Sequence, residues 1–216
     1  MVQKSPKPRG RPRAYDPDAA LAEARDAFWD AGFAATSLDD LSLATGMNRP
    51  SLYGAFGDKR QLYLQTIERY RAFARDALKQ ALAPARPLAD ALRLVYRAAI
   101  EIYLAGENGQ RGCFLIGTAT TEAVLDAQTR TALADGLHEI DQAFETRFRR
   151  AREAGELPRG ADPATLARLT SAVLHTLALR ARAGETRAEL ERIAADGLAL
   201  IIGAAPKPAR TKGSSR

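Results

Sequence analysis

Apolar residues recur at spacings of three and four along nearly the whole chain, and no stretch reads as a strand. The first stripe is Leu21, Ala24, Phe28 and Ala31. Asp16-Pro17 precedes it, a capping carboxylate followed by a proline suited to a first turn, and Gly32 follows it as a stop. Ser37-Leu38-Asp39-Asp40 then opens a short helix in the manner of a capping box, with Asp where Glu is usual. Leu38 and Leu41 are its inward positions, and Thr45-Gly46 breaks it. Asn48 caps a third helix with Leu52 and Phe56 inward. Gly57-Asp58 ends that helix and caps a long fourth one, whose stripe is Tyr63, Ile67, Tyr70, Ala74, Ala77 and Ala81.

Beyond Pro84 and Pro87 the pattern continues. Leu88, Leu92, Val95, Ala99 and Ile102 predict a fifth helix, and residues 106–112 a loop. Residues 113–125 read as a short apolar helix. Leu133, Leu137, Ile140, Phe144 and Phe148 predict a long helix ending near Gly155. Asp162-Pro163 repeats the start signal and leads into Leu166, Leu169, Val173 and Leu177, with Gly184 as the stop. Thr186 and Glu189 form another capping box before Leu190, Ile193, Gly197, Leu198 and Ile201. The fold class is therefore all-α, with about nine helices. The expected organisation is a disordered basic arm over residues 1–14, a head over 15–62, a larger body over 63–203, and a disordered basic tail over 204–216. The joint between head and body falls in the fourth helix, which should couple the two rigidly.

Charge sharpens this picture through its placement. The net charge is +6, yet Lys4, Lys7, Arg9, Arg11 and Arg13 lie in the arm and Lys207, Arg210, Lys212 and Arg216 in the tail. The 23 basic residues that remain face 26 acidic ones, so the positive field sits in the two ends. Basic arms on a globular domain commonly meet polyanions. No apolar run approaches the roughly 18–20 residues of a membrane span, and the basic N-terminus lacks the apolar core of a signal peptide, so no membrane partner and a cytoplasmic location are expected. Cys113 is the one cysteine, which excludes an intramolecular disulfide and a cysteine-rich metal site. His138 and His175 stand alone, without companions at ligand spacing, and read as packing or pocket residues. No Ser-His-Asp set, phosphate loop or carboxylate pair supports catalysis, and nothing points to a cofactor.

Residues 37–56 have helix-turn-helix form, with Gly46 allowing the tight turn. The second helix of the pair presents Arg49, Pro50, Ser51, Tyr53 and Gly54 outward. Small residues let a backbone approach base edges, Arg49 offers a donor fork suited to guanine, and the hydroxyls of Ser51 and Tyr53 suit bases or phosphates. Lys59 opens the next helix, where its ammonium and the helix-end amides can both meet a phosphate.

The longer string is more specific. Thr36-Ser37-Leu38-Asp39-Asp40-Leu41, Ala44-Thr45-Gly46-Met47-Asn48 and Ser51-Leu52-Tyr53-Gly54-Ala55-Phe56-Gly57-Asp58-Lys59 resemble the TetR (tetracycline-repressor-like) family, with Ala27-Phe28 and Gly32-Phe33 matching its first helix. The resemblance covers roughly residues 17–65. It implies double-stranded operator DNA as a partner and DNA contacts at Thr36, Ser37, Asn48, Arg49, Pro50, Ser51, Tyr53, Gly54 and Lys59. It also implies a homodimer whose last two helices form a four-helix interface, and a cavity among the middle helices for a small-molecule effector that weakens DNA binding. The sequence places the interface at Leu169, Val173, Leu177, Ala194, Gly197, Leu198 and Ile201, where small residues allow close helix approach. It offers Tyr70, Tyr96, Tyr103, Cys113, Phe114, Phe144 and Phe148 as pocket residues, although aromatics at helical spacing also serve as ordinary core. Gly54 and Ala55 stand where the family often has larger residues, which shifts expected specificity toward Arg49 and the arm.

Two further features have two readings each. Arg9-Gly10-Arg11-Pro12-Arg13 resembles an AT-hook core, suited to a narrow A·T-rich minor groove, or acts as a sequence-blind cationic arm. Gly112-Cys113-Phe114-Leu115 resembles a segment in part of the TetR family where a cysteine senses oxidants or electrophiles. A helix N-terminus and Arg111 would favour its thiolate, whereas a buried small hydrophobe is the commoner fate of a free cysteine. The leading function is a ligand-released repressor. An A·T-preferring architectural protein, an activator, and a helical enzyme are the alternatives.

The arm yields a direct expectation. Deleting residues 1–13 removes five cations. Affinity for all DNA sequences should fall, and the dependence of affinity on salt should become shallower because fewer counterions are released. A salt titration that gives the same slope for both proteins would remove the arm from the interface.

Overall fold

The helices of this chain begin where a side chain replaces a missing backbone partner. The computed structural model describes residues 15–106, 109–158 and 160–203. The arm and the tail lie outside these residues. In α1 (Pro17–Ala31) the Asp16 carboxylate accepts from the Asp18 amide at 2.9 Å. In α2 (Leu38–Thr45) Ser37 and Asp40 cap each other reciprocally, and in α3 (Arg49–Phe56) the Asn48 side-chain oxygen accepts from the Ser51 amide at 2.9 Å. Asp58 and Gln61 form the box that starts α4 (Lys59–Ala81). Gly57 before it has φ 82°, and a Cβ there would lie 1.6 Å from the Gln61 side-chain oxygen, so this cap requires glycine.

The body continues with α5 (Leu88–Tyr103), α6 (Thr120–Glu122), α7 (Ala127–Glu153), α8 (Pro163–Arg182) and α9 (Arg187–Ile201). No strand occurs among the described residues, so the all-α expectation holds. None of their helices is long and apolar enough to cross a membrane. Following Pro87, α5 has no side-chain cap of its own. The Glu156 carboxylate supplies one from 68 residues away, accepting from the Leu88 amide at 2.6 Å.

Residues 113–125 differ from the single short helix expected of them. Leu115–Ala119 form a π-helical turn that runs into the three-residue α6. The hydroxyl of Thr118 donates to the Phe114 carbonyl and that of Thr120 to the Ile116 carbonyl, competing with the backbone for helical acceptors. At Gly117 a Cβ would stand 2.7 Å from the Arg182 guanidinium, so the turn also lies against α8.

Phe28, Leu41, Leu52 and Phe56 pack α1, α2 and α3 together, and Leu62 and Tyr63 add the first turns of α4. Farther along, α4 leaves this cluster and packs on α7, while α5 packs on α8 and α9. The joint is aromatic. Tyr63 lies 5.1 Å from Phe28 and 6.1 Å from Phe114, and Trp29 lies 5.3 Å from Tyr70 and 5.5 Å from Phe114, centroid to centroid. Two hydrogen bonds cross it. The Tyr63 hydroxyl donates to Thr118 Oγ1 at 2.8 Å, and the Trp29 indole donates to the Arg111 carbonyl at 3.0 Å.

The residues expected at the interface differ in how far a single chain buries them. Leu177, Ala194, Leu198 and Ile201 are buried within the chain. Gly197 lets α9 cross α8, since a Cβ there would fall 2.9 Å from Val173 Cγ2. These residues serve the chain's own core, because the most regular apolar stripe of a two-sided helix turns toward the nearest core. Leu169, Leu179 and Leu200 are the exposed large apolar residues of the pair.

The buried Tyr63–Thr118 bond predicts a modest stability effect. Tyr63→Phe should lower unfolding free energy by about 1 kcal/mol, since the Thr118 hydroxyl keeps its bond to Phe114 and only one partner is lost. Chemical denaturation of both proteins measures it, and an unchanged midpoint would show that the bond does not stabilise the joint.

Candidate nucleic-acid interface and cavity

The surface of α3 results from its burial pattern. Leu52 and Phe56 anchor one side in the core, which leaves Arg49, Pro50, Ser51, Tyr53 and Gly54 exposed on the other. Ala55 is half-buried against the core and belongs to the inner side. The exposed residues form a low ridge with one long cation. The Arg49 fork is bidentate to Asp39 on α2, Nε at 2.9 Å and a terminal nitrogen at 2.6 Å. Both groups are largely solvated, so the pair orients the guanidinium more than it stabilises the fold. Asp39 carried no role in the sequence beyond helix capping, and ten residues separate it from Arg49. The Asn48 cap engages only the carbonyl oxygen, so its amide hydrogens have no partner among the described residues.

Other expected contacts are placed differently. Thr36 is buried, and its hydroxyl is within reach of the carbonyls of Gly32 at 2.7 Å and Ala27 at 3.3 Å, so its side chain closes the end of α1 rather than facing outward. The Ser37 hydroxyl, although exposed, donates to the Asp40 carboxylate at 2.7 Å. Lys59 stands at the first position of α4 with its ammonium 4.4 Å above the Phe33 ring, and Arg60 lies 4.6 Å from the same ring. Burial pushes the Lys59 ammonium below its usual range. Arg60 also reaches Asp126 at 3.2 Å and Glu122 at 3.8 Å, which ties the first turn of α4 to the start of α7. Arg9, Arg11 and Arg13 lie outside the described residues.

A cavity of about 120 Å³ lies in the body between α4, α5, α7, α8 and the segment that begins at Cys113. Tyr70, Tyr103 and Cys113 line it as expected. Tyr96, Phe114, Phe144 and Phe148 do not line it. Phe114, Phe144 and Phe148 are fully buried, and the Tyr96 hydroxyl donates to the Thr170 carbonyl at 3.2 Å. Large rings fill space, whereas this opening exists where Ala74, Ala77, Ala81, Ala98, Ala99 and Ala143 face one another. Its rim carries Arg71 and Arg75, both paired with Glu139, at 2.6 and 3.1 Å. Arg71 and Glu139 are 68 residues apart, so no local pattern announced the pair.

Cys113 stands at the start of the π-helical turn, and the amides of Ile116 and Leu115 and the Tyr70 hydroxyl favour its thiolate. Burial outweighs them and pushes the thiol up. Arg111 gives no help there, because its guanidinium lies 4.3 Å over Trp29 and pairs with Asp26 at 2.9 Å. Of the two readings of Cys113, these surroundings favour the buried small hydrophobe over the activated thiol. His138 is exposed, while His175 is half-buried with Nε2 lacking a partner among the described residues. No group of three His, Cys, Asp or Glu side chains among the described residues could hold a metal ion.

This arrangement has known counterparts. Residues 20–66 match the model of bacterial regulatory proteins of the tetR family, and residues 89–196 match a tetracyclin repressor-like C-terminal domain. The HTH-type transcriptional repressor ComR of Escherichia coli K12 is 33% identical over 196 residues, covering 90% of this chain and 92% of ComR. BdcR of the same organism, also an HTH-type transcriptional repressor, is 31% identical over 54% of this chain and 58% of its own. Among solved structures, a cysteine mutant of the TetR family regulator CifR, bound to 26-base-pair double-strand operator DNA, is 31% identical with a TM-score of 0.71, covering 87% of this chain and 98% of its own. The reduced form of Escherichia coli NemR, 18% identical with a TM-score of 0.74 over 89% of this chain and 98% of its own, shares the fold. The chain belongs to the TetR family of bacterial regulatory proteins and is a DNA-binding transcriptional regulator, not an enzyme.

Proposed function

We propose that the protein is a cytoplasmic homodimeric repressor that holds a palindromic operator and leaves it when a small molecule enters the body cavity. One observation carries this reading: the cavity and the head share a wall. Cys113 and Leu115 line the cavity, while Phe114 and Thr118 of the same segment touch Trp29 and Tyr63. A ligand that shifts this segment must also move α1 or the first turns of α4. The α3 ridge rides on those elements, so a small tilt takes Arg49 out of register with its base pair. The operator complex of CifR supports double-stranded DNA as the partner, and the repressor names of ComR and BdcR support repression.

Dimerisation follows from what α8 and α9 leave bare. Leu169, Leu179 and Leu200 are exposed, with half-buried Val173 and Ile193 among them. A second copy burying this face would present two α3 ridges to successive major grooves, roughly 34–36 Å apart, and the operator would then be a palindrome. Asn48, Arg49, Pro50, Ser51, Tyr53 and Gly54 form the base-facing set, Lys59 contacts phosphate, and Arg9, Arg11 and Arg13 add contacts from the arm.

Selection of bound sequences from random DNA tests the reading, followed by a screen for compounds that release the complex. Recovery of unrelated, non-symmetric sequences would overturn the palindromic operator. On the recovered operator, Arg49→Ala should lower affinity by about one to two orders of magnitude and relax preference at one symmetric base pair. Lys59→Ala should weaken all sites alike and reduce the salt slope by about one contact per subunit. A binding profile over a mutated operator series separates the two roles, and equal loss at every site for Arg49→Ala would remove it from base reading.

The oligomer has its own test. Leu169→Arg and Leu200→Arg should give folded monomers by light scattering, because a charge would be buried without a partner at the interface. Leu198→Arg should instead disrupt the fold, since Leu198 is only 4% exposed in a single chain. Stable dimers in both surface variants would place the interface elsewhere.

A further inference from the structure

The cavity's walls narrow what can occupy it. Its volume of about 120 Å³ is close to that of an apolar protein cavity of about 150 Å³ that accepts benzene. Val95, Ala99, Ile102, Leu115, Ile140 and Leu174 give it a hydrocarbon lining. Three polar groups break that lining away from the rim: the hydroxyls of Tyr70 and Tyr103 and the thiol of Cys113. Tyr70 and Cys113 already face each other at 3.5 Å. Tyr103 also lines the cavity, and its hydroxyl takes no part in the protein hydrogen bonds of the described residues, although it is not among their buried polar atoms that lack a partner. A hydroxyl that faces the cavity and is not committed to a protein acceptor can donate to a ligand oxygen.

Charge is handled differently. Glu139 takes both Arg71 and Arg75, and Glu68 takes Arg71 at 3.0 Å, so the rim's charges satisfy one another. Apart from this mutually paired cluster of Arg71, Arg75 and Glu139, no charged side chain lines the cavity. An ionic ligand would lose its water there and find no free counter-charge. We infer that the cavity takes a neutral molecule of about one ring, apolar along its body, with a single hydrogen-bond-accepting oxygen that Tyr103 binds. Burial holds the Tyr70 and Tyr103 phenols well above their usual range, so both remain donors at neutral pH. This inference rests on the reading of the cavity as the effector site and specifies its chemistry.

Calorimetry on the full chain tests it with four probes: acetophenone, ethylbenzene, benzoate and 4-acetylbiphenyl. Acetophenone should bind, ethylbenzene about three- to tenfold more weakly for want of one hydrogen bond, and benzoate and 4-acetylbiphenyl not measurably. In Tyr103→Phe the advantage of acetophenone over ethylbenzene should vanish while ethylbenzene binds as before. Ala143→Leu, which narrows the space without touching the phenols, should abolish binding of both. Benzoate binding tighter than acetophenone would overturn neutrality, tight 4-acetylbiphenyl would overturn the size, and an unchanged preference in Tyr103→Phe would overturn the acceptor. Failure of all four to bind would overturn the inference entirely. Operator release is read in parallel. Acetophenone that binds without releasing DNA would leave the ligand chemistry standing and overturn the control function of the cavity.

Discussion

The packing of Phe28, Trp29, Tyr63, Tyr70 and Phe114 makes one body out of three small helices, a long fourth helix and the wall of a cavity. These rings come from α1, from α4 and from the segment that opens the π-helical turn, and each is at least nine-tenths buried. They meet edge-on or tilted with centroids between 5.1 and 6.1 Å, the arrangement that ring quadrupoles favour. Burial of one such side chain is worth about 1.5–3 kcal/mol, and aromatic pairs add about 0.5–1.5 kcal/mol. The joint therefore transmits displacement, because closely packed rings cannot shift singly.

Charged contacts surround this joint and rank below it. Arg60 with Glu122 and Asp126, and Arg111 with Asp26 and Asp30, span the same boundary at partly solvated positions. Exposed ion pairs typically contribute about 0–1 kcal/mol and weaken with salt. Their value lies in direction: Arg60 and Lys59 sit over Phe33, and Arg111 sits over Trp29, so three cations hold the faces of two rings at the surface of the joint. The Arg49–Asp39 pair does the same for a donor fork on the exposed ridge.

Local chemistry was legible in the sequence wherever the determining partners are neighbours. Asp16, Ser37, Asn48, Asp58, Asp162 and Thr186 all cap the helices that their spacing announced. The apolar stripes of α3 and α5 are those that the periodicity indicated, and that of α1 differs at its end, where Trp29 is buried and Ala31 is exposed. Legibility ended where a residue's role is set by a distant one. Leu177, Leu198 and Ile201 read as an outward stripe, yet only the crossing of α8 under Gly197 decides which side is outside. Aromatics read as pocket residues because they are large, but Phe144 and Phe148 fill space for that same reason. The π-helical turn depends on Thr118, Thr120 and the nearby Arg182, a combination with no fixed period. Residues 74 and 77 looked like ordinary core because alanine fits a packed interface and the edge of an opening equally well.

Those alanines separate two properties that a regulator must keep apart. Ala74, Ala77, Ala81, Ala98, Ala99 and Ala143 border the cavity from three helices, and none of their side chains takes part in the aromatic joint or carries a hydrogen bond. Enlarging any one of them reshapes the opening while leaving helix propensity nearly intact. Under the proposed function, selection can alter which compound is accommodated through single substitutions that leave the rings themselves unchanged, with Tyr70 alone belonging to both sets. Divergence in response and constancy in output are compatible here because different residue sizes govern them: small side chains set the vacancy, large ones the linkage.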